Sequence, residues 1–266
     1  MPLPQPAPDG TALVTGASSG IGDRFARALA ARGHDVTVVA RRQDRLESLA
    51  TELTERHRGQ VRAIAADLGL ESERDRLAQE LTDAGKRVDV LVNCAGFGLY
   101  RAFAENPRER ELELVRLNVE AVSDLCARFL PAMVERGRGA IINIGSTAGF
   151  QALPYNASYA ASKAFVIFLS EALSAELEGK GVTVTVVNPG PVPTEFQDVN
   201  NASFTERMPR AMWVSPERVV EDALTAVERG RRSVIPGGIP ARSSVLNRYT
   251  PTPLALEIAK RVMAVD

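Results

Sequence analysis

Tyr159 and Lys163, within "YNASYAASKA" (155–164), stand four residues apart in a stretch that reads as the start of a helix. That spacing puts both side chains on one helix face. A tyrosine with its ordinary pKa of about 10 is a proton donor, and a cation beside it lowers that value and makes it useful as acid and as base. Tyr155 lies in the same stretch, but it is two turns from Lys163, and its own fourth neighbour is Tyr159, which carries no positive charge. The spacing selects Tyr159 as the acid. The chemistry that suits such a pair is protonation of an alkoxide as a carbonyl is reduced, and the reverse. Ser146 ends the strand-like run "AIINIGS" and can hydrogen-bond a substrate carbonyl or its developing oxyanion. Thr147 is a second hydroxyl beside it and ranks lower. Asn118, in "LNVEA", is polar within an apolar helical pattern. Either it anchors a water linking Lys163 to solvent, or it is a buried, hydrogen-bonded asparagine that stabilises a kink.

Reduction of a carbonyl needs a hydride source, and "TGASSGIG" (15–22) has the form of a phosphate cradle between a strand and a helix. Gly16 permits a tight turn. Gly20 and Gly22 let the backbone approach a pyrophosphate and let the helix pack on the sheet. With Ser18, Ser19 and Ile21 they surround a helix N-terminus, whose free N–H groups and dipole favour anions. The spacing is G-x-x-x-G-x-G, and its context of strand, turn and helix is the one required. After the second strand the chain reads "VVARRQDR". No carboxylate stands there to bind a ribose 2′-hydroxyl, whereas Arg41 and Arg42 can hold a 2′-phosphate, so NADP(H) is favoured over NAD(H). A solvated pair of arginines opening a helix is the alternative. Asp67, followed by Leu68, ends the third strand, where it either reaches an adenine amino group or caps the next helix. "NCAG" (93–96) ends the fourth. Ala95 and Gly96 leave room for a flat ring or a ribose, and Asn93 can tie neighbouring strands.

These loops need a scaffold. Apolar runs at 12–16, 35–40, 61–67, 88–96, 140–146, 182–190 and 233–236 alternate with helical patterns at 21–32, 42–56, 71–84 and 109–136, and with the helix that contains Tyr159. The runs are apolar on both faces, as in strands covered on both sides. The fold class is therefore α/β, a doubly wound parallel sheet of about seven strands with helices on both faces. One domain is expected from residue 11 to 266, after a Pro-rich tail (1–10) that reads as loose and lacks the features of a signal peptide.

Composition bounds the partners. The 266 residues carry 32 Lys and Arg against 33 Asp and Glu, a net charge of −1, which argues against a nucleic-acid surface. No apolar run approaches the ~18 residues of a membrane span, and the expected location is the cytoplasm. Cys94 and Cys126 read as reduced, buried thiols, and His34 and His57 as surface or capping residues, with no metal site.

The ordered set "TGASSGIG", "NCAG", Asn118, Ser146, "YAASK" and "NPGPVPTEF" resembles the short-chain dehydrogenase/reductase family over nearly the whole chain. The stretches "VARRQDRLESLA" and "PAMVERGRGAIINIGSTAG" are similar to its ketoacyl and hydroxysteroid reductase-like branch. The resemblance implies a Rossmann-type fold, a nicotinamide-dependent oxidoreductase and a catalytic tetrad of Asn118, Ser146, Tyr159 and Lys163. It further implies that Lys163 holds the nicotinamide ribose, that Thr194 lies near the carboxamide, and that Pro189, Gly190 and Val192 pass under the ring. The chain departs from the family in "NCAG", where "NNAG" is usual, and in about thirty residues beyond the last strand. In this extension (237–266), "LALEIAKRVMAV" (254–265) has apolar residues at helical spacing. It could cover the cleft, cap the sheet or pair with a second subunit, and a homo-oligomer, dimer or tetramer, is expected.

The substrate is expected between Thr194 and Pro216, a long stretch that reads as a mobile lid with Phe196, Phe204, Met208, Met212 and Trp213 inward. The alternative is that these side chains cover the sheet edge. "GFGLYRAF" (96–103) and "GFQALP" (149–154) would form the other walls. No basic cluster there suggests a phosphate-bearing substrate, so a hydrophobic ketone or aldehyde is expected. The competing function is a catalytically silent NADP(H)-binding or regulatory protein of the same fold.

Overall fold

The computed structural model describes residues 3–196, 210–238 and 243–263. Seven parallel strands form one sheet in the order β3-β2-β1-β4-β5-β6-β7. They are β1 (Gly10–Thr15), β2 (Val36–Ala40), β3 (Val61–Ala65), β4 (Arg87–Asn93), β5 (Gly139–Ile144), β6 (Val182–Val187) and β7 (Ser233–Val234). The helices are α1 (Gly20–Ala31), α2 (Gln43–Arg56), α3 (Glu71–Asp83), α4 (Arg108–Val115), α5 (Ala121–Glu135), α6 (Ala157–Glu176), α7 (Pro216–Glu228) and α8 (Thr252–Met263).

Alternation along each strand explains why the runs look apolar throughout. Ala12, Val14, Val36, Val38, Val90 and Val92 face one way, into a core with Phe25 and Leu29 of α1, Leu46 of α2 and Val220 and Leu224 of α7. Leu13, Val39, Leu91 and Ile141 face the other way, against Leu77 of α3, Leu125 of α5 and Val166 and Ile167 of α6. Burial on both sides is the signature of a parallel sheet.

β1 lies between β2 and β4, so the winding reverses there and leaves a crevice beyond the carboxyl ends of the strands. The strands stop short of the motif residues. β3 ends at Ala65, β4 at Asn93, β5 at Ile144 and β6 at Val187, so Asp67, Ala95, Gly96, Ser146, Pro189 and Gly190 all fall in the loops along that crevice.

Four expectations change. The N-terminal segment is docked: Leu3 is in the core, Arg138 donates to the Gln5 carbonyl and Arg87 pairs with Asp9. His34 is buried, with its pKa lowered by that burial, so it is no surface residue. The helix expected over 109–136 is broken by a π turn, Arg116–Glu120, between α4 and α5. The pattern reading also passes over α7, although its signals are local: Ser215 accepts a hydrogen bond from the Arg218 N–H, and Pro216 occupies the first turn.

Among the described residues no helix is long and apolar enough to cross a membrane.

Candidate active site

Two elements bring the chemical side chains together. The end of β5 supplies two oxygens side by side: the Ile144 carbonyl accepts from Lys163 Nζ at 2.8 Å, and the Ser146 hydroxyl is hydrogen-bonded to Tyr159. Ser146 Oγ also accepts from the Ala148 N–H at 3.1 Å, which fixes its rotamer. α6 supplies Tyr159 and Lys163 one turn apart, with the ammonium 5.7 Å from the Tyr159 ring centre.

The electrostatics differ from the simple expectation of a cation that lowers the tyrosine's pKa. Burial pushes Tyr159 up to about 12, against the hydrogen bond from Ser146, which pulls it down. Burial pushes Lys163 down to about 8. The ammonium is aimed at the Ile144 carbonyl and not at the phenol, so desolvation governs both groups. The phenol is therefore fully protonated at neutral pH.

Asn118 sits in the π turn and is fully buried. Its Nδ2 donates to the Phe97 carbonyl (2.8 Å) and to Ser162 Oγ (3.2 Å), and its Oδ1 accepts from the Phe97 N–H (3.2 Å). These are the bonds of a buried, fully engaged amide at a kink in the helix. It pins the loop after β4 to α6. Ser162, which the sequence reading did not single out, completes the tie by donating to the Tyr159 carbonyl at 2.7 Å. A methyl group built on Gly96 would lie 2.9 Å from Asn118 Oδ1 and 3.7 Å from Lys163 Nζ, so Gly96 faces the gap between them.

The glycine loop interlocks with "NCAG". Gly16 has φ +67°, and any Cβ there would lie 2.9 Å from Ala95 Cα. A Cβ at Gly22 would lie 2.3 Å from the Gly16 carbonyl oxygen, so α1 can start close under the turn only with glycine there. Thr15 Oγ1 accepts from the N–H groups of Cys94 and Ala95, at 2.9 and 3.1 Å, and donates to the Val92 carbonyl. Thr15 thereby holds the two loops in register. Ser19 begins α1 without a side-chain cap, so the first-turn N–H groups are left for another acceptor. A cradle with two glycine positions that exclude a side chain, at an uncapped helix start, fits a dinucleotide pyrophosphate.

Arg42 lies over this cradle. Its Nε and Nη2 donate to Ser18 Oγ at 3.2 and 3.0 Å, and Nη2 reaches Ser19 Oγ at 3.1 Å. Arg41 is exposed. Ile21 packs against the core on the same side of the sheet.

The family of short chain dehydrogenases matches residues 10–204. The chain belongs to it. Among the relatives of this short-chain dehydrogenase is the very-long-chain 3-oxoacyl-CoA reductase of Bos taurus, 32% identical over 88% of this chain and 72% of that one. The reductase of the same name from Anas platyrhynchos is 36% identical over 74% of this chain and 64% of its own. The chain thus spans about two thirds of the length of these relatives. Among solved structures, a short-chain dehydrogenase from Sphingobium yanoikuyae in complex with NADPH superposes with a TM-score of 0.80 at 35% identity, covering 90% of this chain and 92% of that one. A bulky-bulky ketone specific alcohol dehydrogenase from Comamonas testosteroni gives 0.76 at 33%, covering 94% and 92%.

The remaining sequence-chosen residues of this short-chain dehydrogenase divide by what they touch. Asp67 does not cap α3; its Oδ1 accepts from the Gly69 N–H and closes a turn of its own. The Leu68 carbonyl accepts from Arg74 Nη1 at 2.8 Å. Asn93 is buried in the sheet, donating to Asn143 Oδ1 across β4 and β5 at 2.9 Å and to Cys126 Sγ at 3.5 Å. The Pro189 carbonyl accepts from the Thr147 N–H, and the Pro191 carbonyl from the Val214 N–H, so the segment with Gly190 and Val192 is anchored on both sides. Thr194 lies against Gly20, where a built Cβ would be 3.1 Å from Thr194 Cγ2. Cys94 is half-buried rather than buried, and its pKa is pushed up to about 12 by desolvation; that of Cys126 is pushed up to about 11.

In the two expected wall segments the aromatic side chains are buried except Phe103, which is exposed. Phe97, Tyr100 and Phe150 are buried, and Phe196 tilts against the Tyr159 ring with centres 5.6 Å apart. Residues 197–209 of the expected lid, with Phe204 and Met208, lie outside the described residues. The extension packs through Ala255, Ala259 and Met263, one face of α8, and Tyr100 donates its hydroxyl to the Met263 carbonyl. It meets the 96–103 segment at Tyr100. Tyr155 has φ +62°, and its carbonyl accepts from the Arg101 N–H at 2.9 Å, so it ties that wall to the start of α6.

Proposed function

We propose that the chain is an NADP(H)-dependent oxidoreductase that interconverts a bulky, apolar ketone or aldehyde and its alcohol. The observation that carries this reading is the Tyr159 hydroxyl bonded to Ser146 beside Lys163, at the open end of a dinucleotide cradle. The nicotinamide supplies or accepts the hydride. Tyr159 transfers the matching proton to or from the substrate oxygen, and Ser146 holds that oxygen. Lys163 brings positive charge to the same side, and Asn118 with Ser162 keeps α6 and the loop after β4 in place. The NADP(H) preference is supported by Arg42 above the loop, by the lack of a carboxylate after β2 and by NADPH bound in a similar structure. The apolar substrate is supported by Phe196 tilted against the Tyr159 ring and by the apolar side chains Phe97, Tyr100 and Phe150 of the two expected wall segments.

The test is NADPH consumption with a panel of aryl and alkyl ketones. Lys163 titrates at about 8, so kcat/KM for reduction should decline as pH rises through that value and the ammonium loses its charge. A profile flat up to pH ~10 would remove Lys163 from the reaction.

We also read the exposed side chains Leu112 and Val115 of α4 with Phe165 and Phe168 of α6 as a self-association face. Phe168→Lys should convert an oligomer into a monomer in sedimentation equilibrium. A parent chain that is already monomeric would overturn this.

A further inference from the structure

Glu195 lies just after Thr194, at the root of the expected lid, yet it reaches back to the arginines at the start of α2. Its Oε2 accepts from Arg42 Nη1 at 2.8 Å and its Oε1 from Arg45 Nη1 at 2.6 Å. The carboxylate therefore bridges two guanidiniums, one of which also lies on Ser18 and Ser19 of the phosphate loop. We propose that Glu195 determines cofactor affinity by contending with the 2′-phosphate of NADP(H) for Arg42. This rests on the reading that Arg42 receives that phosphate.

The argument is one of charge and place. A guanidinium fork that already holds a carboxylate cannot offer the same N–H edge to a phosphate. A dianionic phosphate bound beside an intact carboxylate would be repelled by it, and Glu195 must yield its Arg42 bond when the phosphate arrives. Arg45 remains as its alternative partner, so the displaced carboxylate keeps one ion pair. Two neighbours carry the exchange further. Thr194 touches Gly20 of the cradle, and Phe196 touches the ring of Tyr159. Residues 194–196 thus span from the phosphate loop to the proton donor, with Glu195 as a polar latch between them. NADH carries no 2′-phosphate and would leave the latch closed.

The experiment is calorimetric binding of NADPH, NADH and 2′,5′-ADP to the full chain and to Glu195→Gln, Arg42→Ala and the double variant. Glu195 is largely solvated, so Glu195→Gln should fold as the parent does. It should bind NADPH and 2′,5′-ADP about fivefold more tightly, in line with the modest worth of exposed ion pairs, with NADH unchanged. In the Arg42→Ala background the same substitution should have no further effect. If Arg42→Ala leaves the ratio of NADPH to NADH affinity unchanged, the phosphate is held elsewhere and both reading and inference fall. If Arg42→Ala collapses that ratio but Glu195→Gln weakens NADPH, leaves it unchanged, or tightens NADH equally, the inference alone falls.

Discussion

Tyr159→Phe should lower kcat for carbonyl reduction by about 10³-fold, the usual worth of a positioned general acid. The substitution removes one oxygen and little else. The ring keeps its tilted contact with Phe196, and Ser146 keeps the bond it accepts from the Ala148 N–H. The fold and the cradle are untouched, so NADPH binding by calorimetry and the melting temperature should match the parent. A rate within about tenfold of the parent would mean that the proton comes from elsewhere. The raised pKa gives each direction its own pH dependence. A phenol at about 12 is in its acid form throughout the neutral range, which suits reduction. Alcohol oxidation needs the deprotonated form, so its rate should climb with pH well into the alkaline range.

Arg74→Ala should destabilise the chain by about 3 kcal/mol, near the lower end of what breaking a buried ion pair costs. Arg74 is 2% exposed and is the largest of the fully buried side chains. Its guanidinium donates to Asp124 and Glu120, both at 2.5 Å, and to the Leu68 carbonyl at 2.8 Å. Removal leaves a cavity and a buried carbonyl without its donor. The two carboxylates are partly exposed and regain water, which keeps the loss from being larger. Urea unfolding gives the number. Arg74→Met fills the space without charge and should lose roughly half as much. A loss below about 1 kcal/mol for Arg74→Ala would show that the three bonds together add little to stability. Glu120 belongs to the π turn that carries Asn118, so Arg74 also braces the site from behind.

What could be read from the sequence follows from distance along the chain. Tyr159 and Lys163 share one helical turn, and Gly16, Gly20 and Gly22 share one loop, so spacing alone places them. Asn118 stood out because an amide is costly inside an apolar helix. Thr15, Ser162, Arg74 and Glu195 were legible only as ordinary polar residues. Their partners lie far away: Arg74 bonds Asp124 across 50 positions, and Glu195 bonds Arg42 across 153. No local pattern encodes such a pairing. The N-terminal tail misled for a related reason. Prolines forbid regular structure but do not prevent docking, and Leu3 has a core to enter. The helix over 216–228 was masked by the Asn- and Pro-rich stretch before it, although Ser215 and Pro216 announce its start.

The π turn makes the site depend on a length as well as on residue types. A π turn holds one residue more than the regular turn it replaces. Loss of any one residue within 116–120 other than Asn118 would let α4 and α5 join as a continuous α-helix, with every hydrogen bond of the ladder made. Nothing would look broken, yet α4 and the loop before it would be rotated by about 100° relative to α5. The backbone of Phe97 would no longer meet the asparagine amide. In gene terms, a single in-frame codon deletion could disable this site while improving the regularity of the helix. Comparisons of related chains should therefore count residues between β4 and α5 before they compare the residues themselves.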